Sequence, residues 1–200
     1  MTSDSQGYST KFTRLLEQLA SALDELSIRY MIIGGQAVLI YGEPRLTKDI
    51  DVALALDSNG LTSLMPVVDK LKLTVLVEQP QEFVKRTSVL PVRDIETGIR
   101  IDFVFSFTPY ERQAIGHARK VRLGEVDVAF ATLEDVIVHK IFSGRPRDIE
   151  DVRSIVRKSR EHDRNYVRKW LKTFDESLKS NGLETYAHIL SEEIPDKEIG

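Results

Sequence analysis

The sequence contains no cysteine, which excludes thiol nucleophiles, thiolate zinc sites, iron–sulfur clusters and dithiol redox chemistry. Histidine is scarce as well. His117, His139, His162 and His188 lack metal-ligand spacing, and none has a triad partner that the sequence identifies. Apolar runs such as Tyr30 to Ile33 and Val136 to Val138 fall far short of the roughly 20 residues of a membrane span. The opening MTSDSQGYST is polar and has no apolar stretch of the kind a secretory signal needs, so a cytoplasmic protein without membrane attachment is expected. A large charge of one sign is also missing. With 28 Lys and Arg against 31 Asp and Glu, the net charge of −3 argues against a surface that coats nucleic acid throughout but permits a local basic patch. No internal repeat or low-complexity tract interrupts the chain. What remains is 200 residues, 42% of them apolar, enough to bury roughly 70% of the unfolded surface without disulfide or structural metal. Its chemistry must come from carboxylates, hydroxyls, lysine and arginine.

Hydrophobic periodicity divides the chain into alternating helices and strands, then helices alone. Phe12, Leu15, Leu16, Leu19, Leu23 and Leu26 recur at helical spacing and predict a first helix from Thr10 to about Ser27. A strand, Tyr30 to Ile33, runs into Gly34-Gly35, and Gln36 to Tyr41 reads as a short buried helix stopped by Gly42 and Pro44. Asp49 to Leu54 alternates carboxylate and aliphatic residues, which is strand periodicity. A helix over 61–71 and a strand over 74–77 follow. Strands over 87–93 and 99–105 are expected to pair, and Gly124-Glu125 suggests a hairpin between Val121–Leu123 and Val126–Phe130. Thr132 is the expected N-cap of a helix over 133–142, with Asp135 completing a variant of the capping box. Residues 147 to about 190 read as three helices. The expected class is α+β or α/β, with a core domain over 8–143 and a helical segment over 144–195.

Asp49 and Asp51 lie two apart on a strand and therefore project from one face, with α-carbons about 6.5 Å apart. Two such carboxylates repel unless a cation lies between them, and one Mg²⁺ or a pair of ions is the usual solution. An exposed edge strand is the competing explanation. Gly34-Gly35, at a strand-to-helix corner, offers backbone N–H groups at a helix N-terminus, which suits an anion. Asp102 alternates with Ile101, Phe103 and Phe105, so it faces away from the core. Together these features make a parts list for phosphoryl or nucleotidyl transfer.

The stretch GGQAVLIYGEPRLTKDIDV, Gly34 to Val52, resembles the signature GG-x-A... G-x-x-R-x-T-x-D-x-D of DNA polymerase β-like nucleotidyltransferases, in the variety found in AbiEii-type toxins of bacterial abortive-infection systems. Asp102 in RIDFV matches the third family aspartate and Lys140 in LEDVIVHKIF a family lysine. RPRDIEDV, Arg145 to Val152, resembles a further R-D-x-x-D motif, and the similarity runs from about residue 30 to residue 155. The resemblance implies a polymerase β-like fold of α+β class, with a mixed sheet flanked by helices and a C-terminal helical segment. It assigns Asp49 and Asp51 to two Mg²⁺ (or Mn²⁺) ions, and Asp102 to the catalytic metal and the acceptor hydroxyl. Gly34 and Gly35 would cradle the phosphates of an NTP, Arg45 and Thr47 would shape the same pocket, and Lys140 would neutralise triphosphate charge. Where the best-known members carry Gly-Ser, this chain has Gly35 and only backbone donors.

The later residues also admit plainer roles. Lys140 could face solvent, and Arg147, Asp148 and Asp151 could be a helix N-terminus rather than supports for the site. Ten basic residues against five acidic ones occupy Arg145 to Lys172. Arg153, Arg157, Arg160, Arg164 and Arg168 form one stripe if a single helix runs through them, either a solvated face or a surface for RNA. The function expected is transfer of a nucleoside monophosphate from an NTP to a hydroxyl acceptor. The acceptor is RNA such as tRNA, a protein, or a small molecule such as an aminoglycoside or lincosamide. A toxin with a cognate antitoxin protein as partner belongs to this expectation. The competing class is an inactive nucleotidyltransferase-like binding or antitoxin module.

Overall fold

The computed structural model describes residues 3–43, 47–106 and 108–194. In chain order the elements are α1 (Ser3–Glu25), β1 (Tyr30–Ile33), α2 (Gly34–Tyr41), β2 (Asp49–Leu54), α3 (Leu61–Lys70) and β3 (Leu73–Val75). There follow α4 (Pro80–Thr87), β4 (Val89–Asp94), β5 (Arg100–Phe105), α5 (Pro109–Gly116), β6 (Arg119–Leu123) and β7 (Val126–Phe130). The chain continues as α6 (Leu133–Ser143), α7 (Pro146–Lys158), α8 (Arg164–Leu178) and α9 (Gly182–Glu193). Among the described residues no helix is long and apolar enough to cross a membrane.

Contacts divide the chain into two compact units, Met1–Ile33 with Thr47–Phe130 and Gly34–Leu46 with Ala131–Gly200. Residues 131–143, grouped by sequence with the core over 8–143, fall in the second unit, in contact with α2 and with the helices that follow them. The physical reason is that α6 carries buried Val136, Ile137, Val138 and Ile141 and presents them to α2, α7, α8 and α9.

The first unit is a seven-stranded sheet in the order β3-β4-β5-β2-β1-β7-β6. β2 runs parallel to β5 and β1 parallel to β7, while the other neighbours are antiparallel. Along β5 the alternation holds, with Ile101, Phe103 and Phe105 buried and Arg100 and Asp102 on the opposite face. The expected hairpin is present, Leu123 opposite Val126 and Gly124 at φ +51°, a conformation that favours glycine. α1 buries Phe12, Leu15, Leu16, Leu19 and Leu23 and contacts β7 and α3. Leu26, expected on the same face, lies beyond the last turn and is 44% exposed. Two helices were not anticipated. α4 buries only Val84, too little to give a periodic signal. α5 opens on a complete capping box, the Thr108 hydroxyl accepting from Glu111 N at 3.2 Å and the Glu111 carboxylate accepting from Thr108 N at 3.0 Å.

The second unit is helical. α2 packs against α6 and α7, and α8 and α9 against each other. Thr132 caps α6 as expected, its hydroxyl accepting from Asp135 N at 3.3 Å. α7 ends at Lys158, whose ammonium donates to Gly42 O at 2.8 Å. α8 starts afresh at Arg164, where the Asp163 carboxylate accepts from Asn165 N and Tyr166 N, both at 3.0 Å.

Candidate active site

In the first unit the decisive geometry is the register of β2 on β5. Asp49 stands opposite Arg100 and Asp51 opposite Asp102. Residues in register on adjacent strands share a face about 5 Å apart, and those two along the strand share it about 6.5 Å away. Asp49, Asp51 and Asp102 therefore occupy one face of two neighbouring strands, in the pattern D-x-D beside R-x-D. Arg100 completes the face. Its Nε donates to Asp102 Oδ1 at 2.9 Å; that bond, opposed by burial and aided by the charges of Asp102, Asp49 and Asp51, raises the guanidinium above its ordinary pKa. Asp102 is 19% exposed in its side chain and Arg100 50%, so the pair is open to solvent on the arginine side. The signal that could have found Arg100 is its spacing: it lies two residues before Asp102, on the same face.

The donors are three hard carboxylates already attended by a cation, which fits Mg²⁺ or Mn²⁺ by ligand type. Among the described residues no three His, Asp or Glu side chains stand in a ready ligand arrangement, and Asp102 is bonded to Arg100.

Of the other residues matched to the nucleotide site, Thr47 is buried in the first unit. Gly34 opens α2 at φ +64°, where any Cβ is strained, which explains glycine at this corner. Gly35 follows it, buried in the first turn. Arg45 lies outside the described residues.

Lys140, in the second unit, does not face solvent. It is 10% exposed in its side chain and its ammonium lies 2.5 Å from Asp148 Oδ1 and 3.0 Å from Asp151 Oδ2. Ser143 Oγ donates to the other oxygen of Asp148 at 2.7 Å. The i, i+3 spacing of Asp148 and Asp151 in the first turns of α7 makes this chelate of one ammonium possible. Burial tends to raise the Asp148 carboxyl, but hydrogen bonds from Lys140 and Ser143 and the charges of Lys140 and Arg145 outweigh it and hold the group below the usual carboxylate range. A depressed carboxylate contributes stability that is fully present above its unfolded value, about pH 4, and is lost as pH falls through the folded value. The wild-type melting temperature is accordingly expected to fall more steeply below about pH 4 than that of Asp148→Asn, as followed by circular dichroism from pH 7 to pH 3.

The arginine stripe is interrupted. α7 and α8 are separate helices with residues 159–163 between them, so Arg153 to Arg168 is not one continuous helical face. Arg153 pairs with Glu192, and Arg157 donates from Nε and a terminal nitrogen to both oxygens of Glu193 at 2.8 and 3.0 Å. These two arginines tie α7 to α9. Arg164 donates to Arg160 O at 3.5 Å, and Arg168 is exposed on α8. Arg147 lines a cleft of about 280 Å³ with Glu43, Glu150, Asp151, Arg153, Ser154 and Arg157.

No family model matches the chain, and no curated protein matches it in sequence. Solved structures do match in fold. The solution structure of the antibiotic-resistance factor ANT(2'')-Ia agrees with a TM-score of 0.60 at 17% identity, over 90% of this chain and 98% of that one. A crystal structure of ANT(2'')-Ia in complex with adenylyl-2''-tobramycin gives 0.57 at 17% identity, over 84% and 98%. An antigenic nucleotidyltransferase-like protein from Paracoccidioides brasiliensis gives 0.54 at 18% identity, over 88% and 94%. The architecture built above, a mixed seven-stranded sheet with helices, is the polymerase β-like nucleotidyltransferase fold.

Proposed function

We propose that the protein is a nucleotidyltransferase that moves a nucleoside monophosphate from an NTP to a hydroxyl acceptor with Mg²⁺ or Mn²⁺. The observation that carries this reading is the parallel register that sets Asp51 beside Asp102, with Asp49 on the same face. Asp49, Asp51 and Asp102 would hold the metal, which supplies charge stabilisation for the attacking and leaving oxygens of an in-line displacement. Asp102, bonded to Arg100, would orient the acceptor hydroxyl and receive its proton. Gly34 and Gly35 would bind phosphate oxygens through backbone N–H groups, and the resemblance gives Arg45 and Thr47 a part in nucleotide binding. Lys140 is carried over by the resemblance alone as the lysine that would meet triphosphate charge, and for that its ammonium would have to be shared with Asp148 and Asp151.

For the acceptor we favour RNA, and the surface assigned to it is Arg160, Arg164 and Arg168 rather than the bridged Arg153 and Arg157. A toxin restrained by an antitoxin protein is the biological setting this implies. The second reading is a small-molecule hydroxyl acceptor of the aminoglycoside kind, favoured by the fold likeness to ANT(2'')-Ia. Purified protein incubated with each α-labelled NTP and Mg²⁺, with either total cellular RNA or an aminoglycoside panel, separates them. Labelled RNA is expected. A label only on the antibiotics establishes the second reading, and no label on either class with any NTP leaves the inactive binding module in its place. If RNA is the acceptor, replacing Arg164 and Arg168 with glutamate is expected to weaken RNA binding by about tenfold or more and to flatten its salt dependence, while NTP binding stays unchanged. Equal RNA binding by this variant and the wild type, measured by filter binding at two salt concentrations, would refute the assignment.

A further inference from the structure

Three carboxylates sharing one face of β2 and β5 repel one another unless positive charge lies among them. Arg100 brings such a charge. It is on the same face, in register with Asp49 and two residues from Asp102. Its Nε donates to one of the two oxygens of Asp102 at 2.9 Å. Its side chain is half exposed, so it can leave along a solvent path without disturbing the core. A guanidinium brings one diffuse positive charge, whereas a divalent ion brings two in a compact sphere that hard oxygen ligands prefer. The two compete for the negative charge of Asp102.

We infer that Arg100 is a resident counter-ion of the carboxylate face and is displaced when a divalent cation binds, so that it raises the cation concentration at which the site fills. The inference rests on reading this face as a divalent site. Arg100 is a positioning residue in this role: it holds Asp102 while no metal is present and yields it afterwards.

The test uses the full-length protein freed of metal with EDTA, and Mn²⁺ as the probe. Binding is followed by the loss of the free-ion electron paramagnetic resonance signal, and stability by thermal melting. Arg100→Gln is expected to bind Mn²⁺ about tenfold more tightly than wild type, the order expected for removing one positive charge a few ångströms from a divalent ion at a half-exposed site. The same variant should melt a few degrees lower, about 2 to 5 °C, without metal and recover that difference when Mn²⁺ saturates it. Arg100→Lys, which keeps the charge but loses the fork, should fall between the two. Arg122→Gln is the charge control, since it makes the same change in net charge from the edge strand β6, where Arg122 pairs with Asp127 and Glu125. It should bind Mn²⁺ as wild type does. Equal affinity of wild type and Arg100→Gln, or an equal gain in Arg122→Gln, overturns the role of Arg100 and leaves the metal site standing. Absence of Mn²⁺ binding in wild type and Arg100→Gln alike overturns both.

Discussion

Asp51→Asn is expected to lower nucleotidyl transfer by about 10³-fold or more while the protein keeps its fold and melts within about 1 kcal/mol of wild type. Asp51 is the middle carboxylate of the face, flanked by Asp49 along β2 and by Asp102 across it. An amide retains the shape but removes a negative oxygen that a hard cation needs. It also relieves repulsion from two neighbouring carboxylates, so the folded state loses little. The measurement pairs single-turnover transfer with a melting curve on the same preparation. Activity within about tenfold of wild type, from a protein that melts normally, would remove Asp51 from the reaction and with it the metal site as assigned.

The second large effect concerns stability. Lys140→Met is expected to cost about 3 kcal/mol or more, because it strips the shared ammonium from Asp148 and Asp151 and leaves two buried carboxylates close together. Adding Asp148→Asn and Asp151→Asn to Lys140→Met should restore much of the loss, since a neutral cluster in the same space has no charge to compensate. Urea denaturation of the single and triple variants checks this. If Lys140→Met is as stable as wild type, the cluster is not the structural lock of α6 on α7, whatever Lys140 does for substrate.

These two sites were legible to different degrees. The period of two along DIDVAL and RIDFV was enough to put Asp49, Asp51 and Asp102 on outward faces of their strands. It could not show that the strands are neighbours, because α3, β3, α4 and β4 intervene and β5 returns to lie parallel beside β2. Pairing of that kind is a long-range choice that local periodicity does not record. Arg100 shares the spacing of the aspartates, but a cation on a strand draws no notice until its neighbours are known. Lys140, Asp148 and Asp151 were each weak in sequence, and their meeting depends on how α6 and α7 pack. The stripe of arginines failed as a continuous face for a local reason: Asp163 caps a new helix and ends the periodicity. By contrast the capping box of α5 was written plainly as Thr108-Pro109-Tyr110-Glu111 and could have been read.

The order of strands has a further consequence, for association rather than chemistry. A sheet with free margins offers unpaired backbone groups to any extended chain that reaches them. Here the two margins are β3 and β6, and they are blunted in different ways. β3 has only three residues, too short a ladder to recruit a stranger firmly. β6 is longer, but its sequence RKVRL sets Arg119, Lys120 and Arg122 along five positions. A second β6 laid beside the first would bring like charges into register, so this margin repels its own copies and the sheet resists growing from molecule to molecule.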